Sequence, residues 1–262
     1  MTPTLVFDIE TVPDVAGLRR LHDLPPALSD ADVLDWATQQ RRAAVGTDFL
    51  PLYLQRVVAI ACALRDGDDA FRIWSLGEAA DSEAQLIRRF FDGVDRYTPQ
   101  LVSWNGGGFD LPVLHHRSLI HGIAAPRYWD WGDEDRDFRY NNYLNRYHSR
   151  HLDLMDVLAS YQPRAYAGLD AMARLCGFPG KLGLDGAEIY QAHQAGKLEE
   201  IRHYCESDVL NTYLLYLRFQ QLRGTLSTEQ YAVEVALVRE KITAVGSPHW
   251  QAFLAAWDAA AG

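Results

Sequence analysis

Cysteine is scarce in this chain, and basic charge is outweighed by acidic. The three cysteines, Cys62, Cys176 and Cys205, are odd in number and far apart in 262 residues, which supports neither a disulfide framework nor a Cys-x-x-Cys zinc knuckle. They read as buried small hydrophobes. Lys plus Arg number 25 against 35 Asp plus Glu, a formal charge of −10 with a pI of about 5.3, which argues against a protein that coats nucleic acid through a basic face. No run approaches the roughly 20 consecutive apolar residues of a membrane-spanning helix. The N-terminal MTPTLVFDIE has neither a basic n-region nor a cleavage site, so a cytoplasmic location is expected. Repeats, low-complexity tracts and Pro/Gly-rich linkers are also lacking, which favours a single domain over 1–262.

What is present is a globular composition, 48% hydrophobic and 23% charged, long enough for a conventional core. TLVFDI (4–9) is an apolar, strand-prone run expected to be buried. From Asp14 to about Leu50 the pattern turns helical and polar. It breaks at Pro25-Pro26, and Ser29 to Asp32 caps a helix through Gln40. RVVAIACAL (56–64) and FRIWSL (71–76), joined by a turn over Asp66 to Asp69, predict an antiparallel hairpin. Ser82 to Gln85 is a capping box opening an amphipathic helix with Leu86, Ile87, Phe90, Phe91 and Val94 on one side. A strand over Gln100–Trp104 leads through glycines to a helix near Phe109, and His151–Val157 is a strand and its exit. Helices follow over 169–175, 186–194, 198–221 and 227–245, and Ser247-Pro248 opens a last one, so that C-terminal helices occupy about 225–262. The order of elements suits an α/β fold with a mixed five-stranded central sheet flanked by helices.

Three short patterns carry chemistry. Asp8 and Glu10 are two apart on the first strand, so its period of two points both carboxylates to one face. Such a pair at a buried strand end is costly unless a cation neutralises it. The pattern alone is weak, since Asp81-Ser82-Glu83 repeats it where a helix cap suffices. Asn105-Gly-Gly-Gly-Phe109-Asp110 follows a strand and opens a helix, which places Asp110 at the same sheet edge if the two strands are parallel. Its glycines permit close approach of a ligand, but neither form of nucleotide phosphate loop is present. Tyr204 and Asp208, four apart in a helical segment, share a face, and so would Tyr166 and Asp170.

Taken jointly and in this order, FDIET, NGGGFDLPVL and YCESDVLNTYLLY resemble the three exonuclease motifs of the DEDD superfamily. The resemblance is specifically to stand-alone bacterial proteins similar to the 3′-to-5′ exonuclease domain of family B DNA polymerases, and it spans about Leu5 to Leu217. It implies a ribonuclease H-like fold, in agreement with the order of elements. It also implies a phosphodiester hydrolase that works from 3′ ends by a two-metal mechanism and releases nucleoside 5′-monophosphates. It assigns Asp8, Glu10, Asp110 and Asp208 to two divalent cations, Tyr204 to the attacking water, and Asn105 and Phe109 to the substrate. Oxygen-only ligands select hard ions, so Mg²⁺ or Mn²⁺ is expected over Zn²⁺. An enzyme that grips a short chain end needs no basic excess. The end is expected to be single-stranded, because the terminal bond must enter a carboxylate-lined pocket. DNA is favoured, although the motifs do not specify the sugar. With no polymerase attached, the expected setting is repair, turnover or processing.

His203 precedes Asp208 with the five-residue spacing of the superfamily's histidine branch. At ~100° per residue, Tyr204 lies about 40° from Asp208 around the helix and His203 about 140° away. Geometry favours Tyr204; His203 serves as base only if the helix begins at or after it. In HLDLMDVL, which begins at His151, Asp153 is expected to support the site from a strand end and Asp156 to cap a helix. Tyr140, Tyr143 and Tyr147, interleaved with Arg139, Arg146, Asn141, Asn142 and Asn145, either stack unpaired bases or lie on a packed surface helix. His115-His116 and His148-x-x-His151 read as structural or exposed. Two alternatives stand beside this reading. A ribonuclease H-like endonuclease is opposed by Tyr204 beside Asp208, and a non-catalytic nucleic-acid-binding module by four mutually repelling carboxylates.

Overall fold

The run TLVFDIETVP forms strand β1 (Thr4–Pro13) of a computed structural model that describes residues 2–67 and 70–260. β1 continues past Ile9 because its antiparallel ladder with β2 (Gln55–Asp66) passes through a bulge between Glu10 and Thr11 and runs on to Pro13. β3 (Ala70–Ser75) completes the antiparallel hairpin with β2. Asp68 and Asp69, in the expected turn, lie outside the described residues. β4 (Gln100–Ser103) pairs parallel to β1 and β5 (His151–Asp153) parallel to β4, giving the order β3-β2-β1-β4-β5. Three antiparallel strands with two parallel additions, interspersed with helices, are the α/β arrangement with a mixed five-stranded sheet that the order of elements suggests, and they agree with the ribonuclease H-like fold that the resemblance implies.

α1 (Val15–His22) and α2 (Asp30–Val45) fill the segment between β1 and β2. Ser29 and Asp32 form a reciprocal capping box, and the helix passes Gln40 to stop at Gly46, whose φ of 80° suits glycine. α3 (Glu83–Tyr97) opens at the second box and buries Leu86, Ile87, Phe90, Phe91 and Val94. After α4 (Asp110–His121) come α5 (Leu154–Leu158), α6 (Leu169–Leu175), α7 (Ile189–Gln194), α8 (Leu198–Leu222), α9 (Thr228–Val245) and α10 (Pro248–Ala260). Where a helix is expected from Gly186, a 3₁₀ turn over Gly186–Glu188, capped by Asp185, precedes α7.

The alternation of β1 divides the core. Leu5, Phe7 and Ile9 pack with residues of α3 and α4, whereas Val6 packs with Val209, Leu210 and Tyr213 of α8. Asp8 and Glu10 share the parity of Val6 and therefore lie on the α8 side. α1 and α2 form a satellite cluster of Leu18, Val33, Leu34 and Ala37 with Leu50 and Leu54. Cys62 and Cys205 are buried, Cys176 is half-buried, and all three are free thiols. Among the described residues no helix is long and apolar enough to cross a membrane.

Candidate active site

The strand register makes room for the first two carboxylates: across β2, Asp8 faces Ala61 and Glu10 faces Ala59. On the other side, the ladder to β4 ends at Val6 and Val102, while β1 runs on. Farther along, the Ile9 N–H is accepted by Asp110 Oδ1 at 3.1 Å. Asp110 thus completes the hydrogen bonding of β1 from the first turn of α4, where the helix dipole favours a carboxylate. α8 brings Tyr204, Cys205 and Asp208 to the same place. The Cys205 thiol donates to the Asp8 carbonyl at 3.4 Å and to Asp8 Oδ2 at 3.5 Å. One oxygen each from Asp8 and Glu10 and this sulfur all lie within 4.8 Å of one another.

The electrostatics are those of a cation site. Desolvation, then Asp110, Glu10 and Asp208, hold the Asp8 carboxyl well above its ordinary range; desolvation and Asp208 do the same for Glu10. Burial pushes Asp110 up to about 7 and Asp208 to about 6, the latter against the pull of Lys181. Asp208 Oδ1 is buried and has no hydrogen-bond partner among the described residues. Crowded, desolvated carboxylates with an oxygen left unpaired match the donor set of a hard divalent cation. Burial, then Asp8 and Glu10, push the Cys205 thiol well up, so it stays protonated and donates to Asp8.

Lys181 has no counterpart among the residues the sequence singles out. Its Nζ lies 2.5 Å from Tyr204 Oη and 3.2 Å from Asp208 Oδ2. Burial opposes its charge, but Asp208 and Tyr204 outweigh that and hold the ammonium above its ordinary value. The residue comes from a loop between Gly180 and Gly183, both at positive φ, where no periodicity could mark it. Burial and then Asp208 raise the Tyr204 phenol, so it keeps its proton. His203 points elsewhere. It stacks on His249 of α10 with centroids 3.9 Å apart, and α8 already begins at Leu198, so the condition that would free His203 is not met.

The glycine turn before α4 is tightly built. Asn105 adopts a φ of 66°, and a Cβ at Gly106 would collide with the Ser103 side chain. Asp153 accepts from the Asn105 and Gly107 amides at 2.9 Å each and from those of Met155 and Asp156, so it braces the turn and caps α5. The expected cap at Asp156 is corrected accordingly, because Asp156 sits inside the first turn. There it accepts from Arg146 and from the Tyr166 hydroxyl, each at 2.6 Å. Asn105 and Phe109 are half-buried beside this turn.

The repeated patterns separate cleanly. Glu83 does more than sit beside a cap: it accepts from the Val57 amide, Arg117 and His121. Tyr166 lies outside α6 and shares no helical face with Asp170. No surface helix forms over Tyr140–Tyr147. A 3₁₀ turn over Arg136–Arg139 is followed by turns in which the Asn141 and Asn142 side chains accept backbone N–H groups and so compete with a helix. Tyr143 is buried with its hydroxyl on the Pro99 carbonyl, whereas Tyr140 and Tyr147 are exposed. Burial lowers His115 and His151 to about 4; His115 contacts Tyr128 and His151 contacts Ser103. His148 accepts from the Asn142 amide, a structural role.

A family model described as a predicted 3′-5′ exonuclease related to the exonuclease domain of PolB matches residues 47–257. The chain is 28% identical over 151 residues to the catalytic polypeptide of DNA polymerase epsilon from Saccharomyces cerevisiae, a match covering 53% of this chain and 6% of that one. It is 29% identical over 154 residues to a DNA polymerase of Pyrococcus glycovorans, covering 57% of this chain and 20% of the other. It therefore spans only a small part of the curated relatives it matches. Among solved structures, a family B DNA polymerase from the archaeon Pyrobaculum calidifontis superposes with a TM-score of 0.48 at 17% identity, over 84% of this chain and 25% of that one.

Proposed function

The chain belongs to the family of predicted 3′-5′ exonucleases related to the exonuclease domain of PolB, and on that premise we propose that it removes nucleotides from the 3′ ends of single-stranded nucleic acid. DNA is the preferred substrate, and the products are nucleoside 5′-monophosphates. The observation that carries this reading is the convergence of Asp8, Glu10, Asp110 and Asp208, with Asp208 Oδ1 buried and unpaired.

These four side chains would hold two Mg²⁺ or Mn²⁺ ions. Bound there, the ions would lower the pKa of water and neutralise charge building on the phosphodiester. Tyr204, kept protonated by its surroundings, orients the attacking water. Lys181 fixes the Tyr204 oxygen and one Asp208 oxygen, and it presents a positive charge where the phosphate must lie. Asp110 is held in place by the Ile9 amide, and Asn105 and Phe109, at the turn leading to it, position the terminal nucleotide.

The test incubates purified protein and its Asp8→Ala variant with 5′-labelled single-stranded DNA or RNA, in Mg²⁺, Mn²⁺ or EDTA. Shortening in single-nucleotide steps, only with a metal and only in wild type, is the expected result. Folded, metal-bound wild type that leaves both strands intact would overturn the reading in favour of a structured-substrate nuclease or a binding module.

A further inference from the structure

β5 is an edge strand of three residues, and the chain around it, residues 139–166, differs in character from the rest. It carries Tyr140, Tyr143, Tyr147, Tyr161 and Tyr166, and four arginines, with no lysine or glutamate; its two carboxylates, Asp153 and Asp156, are buried. In a molecule of net charge −10, the exposed charged side chains of this stretch, Arg139, Arg146 and Arg164, are all basic. At its centre the Arg146 guanidinium lies 6.0 Å from the Tyr147 ring centroid and 5.1 Å from that of Tyr161, and the two rings meet edge to face at 4.8 Å. Asp156 fixes both Arg146 and the Tyr166 hydroxyl. Tyr147 is nevertheless 69% exposed and Tyr166 39%. Ser160 and Tyr161 take φ values of 52° and 61°, a left-handed pair of non-glycine residues, and such strain persists only where surrounding contacts hold it.

Two connections tie this patch to the carboxylates. Asp156 and Asp153 lie in one turn at the start of α5, and Asp153 holds the Asn105–Gly107 turn that leads into Asp110. α5 also begins at the C-terminal end of β5, which runs parallel to β4 and, through it, to β1, so the Arg146–Asp156 pair stands at the sheet edge of Asp8 and Asp110.

We propose that Tyr147 and Tyr161, with Tyr166 beside them, form a stacking platform for unpaired bases behind the scissile end of a single strand. Accessible rings beside arginine planes bind successive bases without reading their sequence, and here Tyr147 is exposed and Tyr161 half-buried. The Arg146 charge is already matched by Asp156, so this arginine serves to hold the rings, while the exposed Arg139 and Arg164 remain for phosphates. The inference rests on the exonuclease reading for its occupant and adds to it a subsite that acts only on longer strands.

The test measures affinity of the full chain, in EDTA to prevent turnover, for fluorescein-labelled oligo(dT) of two, six and twelve nucleotides. Wild type is expected to bind the longer strands more tightly. Tyr147→Ala and Tyr161→Ala should each weaken twelve-nucleotide binding about ten-fold, the effect of losing one stacked base, with the loss shrinking as the strand shortens. Tyr147→Phe, which keeps the ring, should restore binding. Tyr97→Ala is the control, since Arg96 lies 5.1 Å from that ring just ahead of β4, at the opposite end of the parallel strands. Wild type that binds all lengths alike would overturn the platform. So would Tyr147→Ala binding like wild type, or Tyr97→Ala losing as much. Metal-dependent shortening by wild type alongside normal binding by Tyr147→Ala would remove the platform and leave the exonuclease. Length-dependent binding lost in Tyr147→Ala, with no shortening by wild type, would leave the platform and remove the exonuclease.

Discussion

A single position on α8 decides which side chain can serve the carboxylates. Tyr204 and Asp208 stand one turn apart, and Lys181 bridges their oxygens, while His203 stacks against His249 and shares its surroundings with Glu206, Glu199 and Arg202. Removing the phenol hydroxyl in Tyr204→Phe should lower the hydrolysis rate by roughly 10²-fold, the usual effect of losing one positioned hydrogen-bond donor. His203→Ala should leave the rate near wild type. Steady-state rates on a single-stranded oligonucleotide check the ranking, and the reverse order would assign the water-orienting role to the histidine. Tyr204 and His203 could both be found from spacing, but Lys181 could not. Its partners lie about one helical turn apart on α8, and only the fold of the 176–188 segment brings its ammonium to them.

Among elements, the joint between α1, β2, α3 and α4 is the most consequential away from the carboxylates. Arg117 of α4, 3% exposed, donates to both oxygens of Glu83 at 2.8 and 2.6 Å and to Asp14, the cap of α1, at 2.6 Å. Glu83 in turn accepts the Val57 amide of β2 at 2.7 Å. Removing one partner of a buried ion network strands the others, so Arg117→Met should cost about 3–5 kcal/mol of folding stability. Urea unfolding measures it. A loss below about 1 kcal/mol, the scale of an exposed pair, would mean that water already reaches the network. α4 also carries Asp110, so this joint holds the inserted helices to the same element that completes the carboxylate cluster.

For the molecule as a whole, the cluster sets a dependence on pH and on cations. Asp110 at about 7 and Asp208 at about 6 bind protons more tightly folded than unfolded, so their contribution is full below the ordinary carboxylate value of 3.8 and is lost progressively as pH rises from there through about 6 and 7. In EDTA, Asp8→Ala, with one repelling carboxylate fewer, should melt above wild type by a margin that grows from pH 5 to pH 8. On the proposed reading, Mg²⁺ should take the place of the protons. At a concentration of a hundred times its dissociation constant it should add about 2.7 kcal/mol of stability to wild type, and much less to Asp8→Ala. Thermal melts with and without Mg²⁺ across that pH range read both effects. A wild-type midpoint indifferent to Mg²⁺ at pH 8 would show that the carboxylates hold no ion.

Periodicity and caps in the amino-acid sequence determined the five strands, the main helices and the pairing of Asp8 with Glu10 on one face, because these are local consequences of backbone geometry. The joint order of the three motifs pointed to Asp110, Tyr204 and Asp208. Tertiary structure decided what depends on contacts between segments far apart in the chain. The β1 ladder to β4 stops at Val6, and Asp110 then completes it at Ile9. Ala59 and Ala61 leave space opposite the carboxylates, Asp153 rather than Asp156 caps α5, and Lys181 arrives from a loop. Asparagine side chains made turns of the segment bearing Tyr140, Tyr143 and Tyr147, for which a surface helix was one of two alternatives, because hydrogen bonds to backbone amides outcompeted helical ones. A site assembled across a sheet edge is written in the sequence only as its separate pieces. Desolvation and mutual repulsion, which give those pieces their chemistry, exist only after folding.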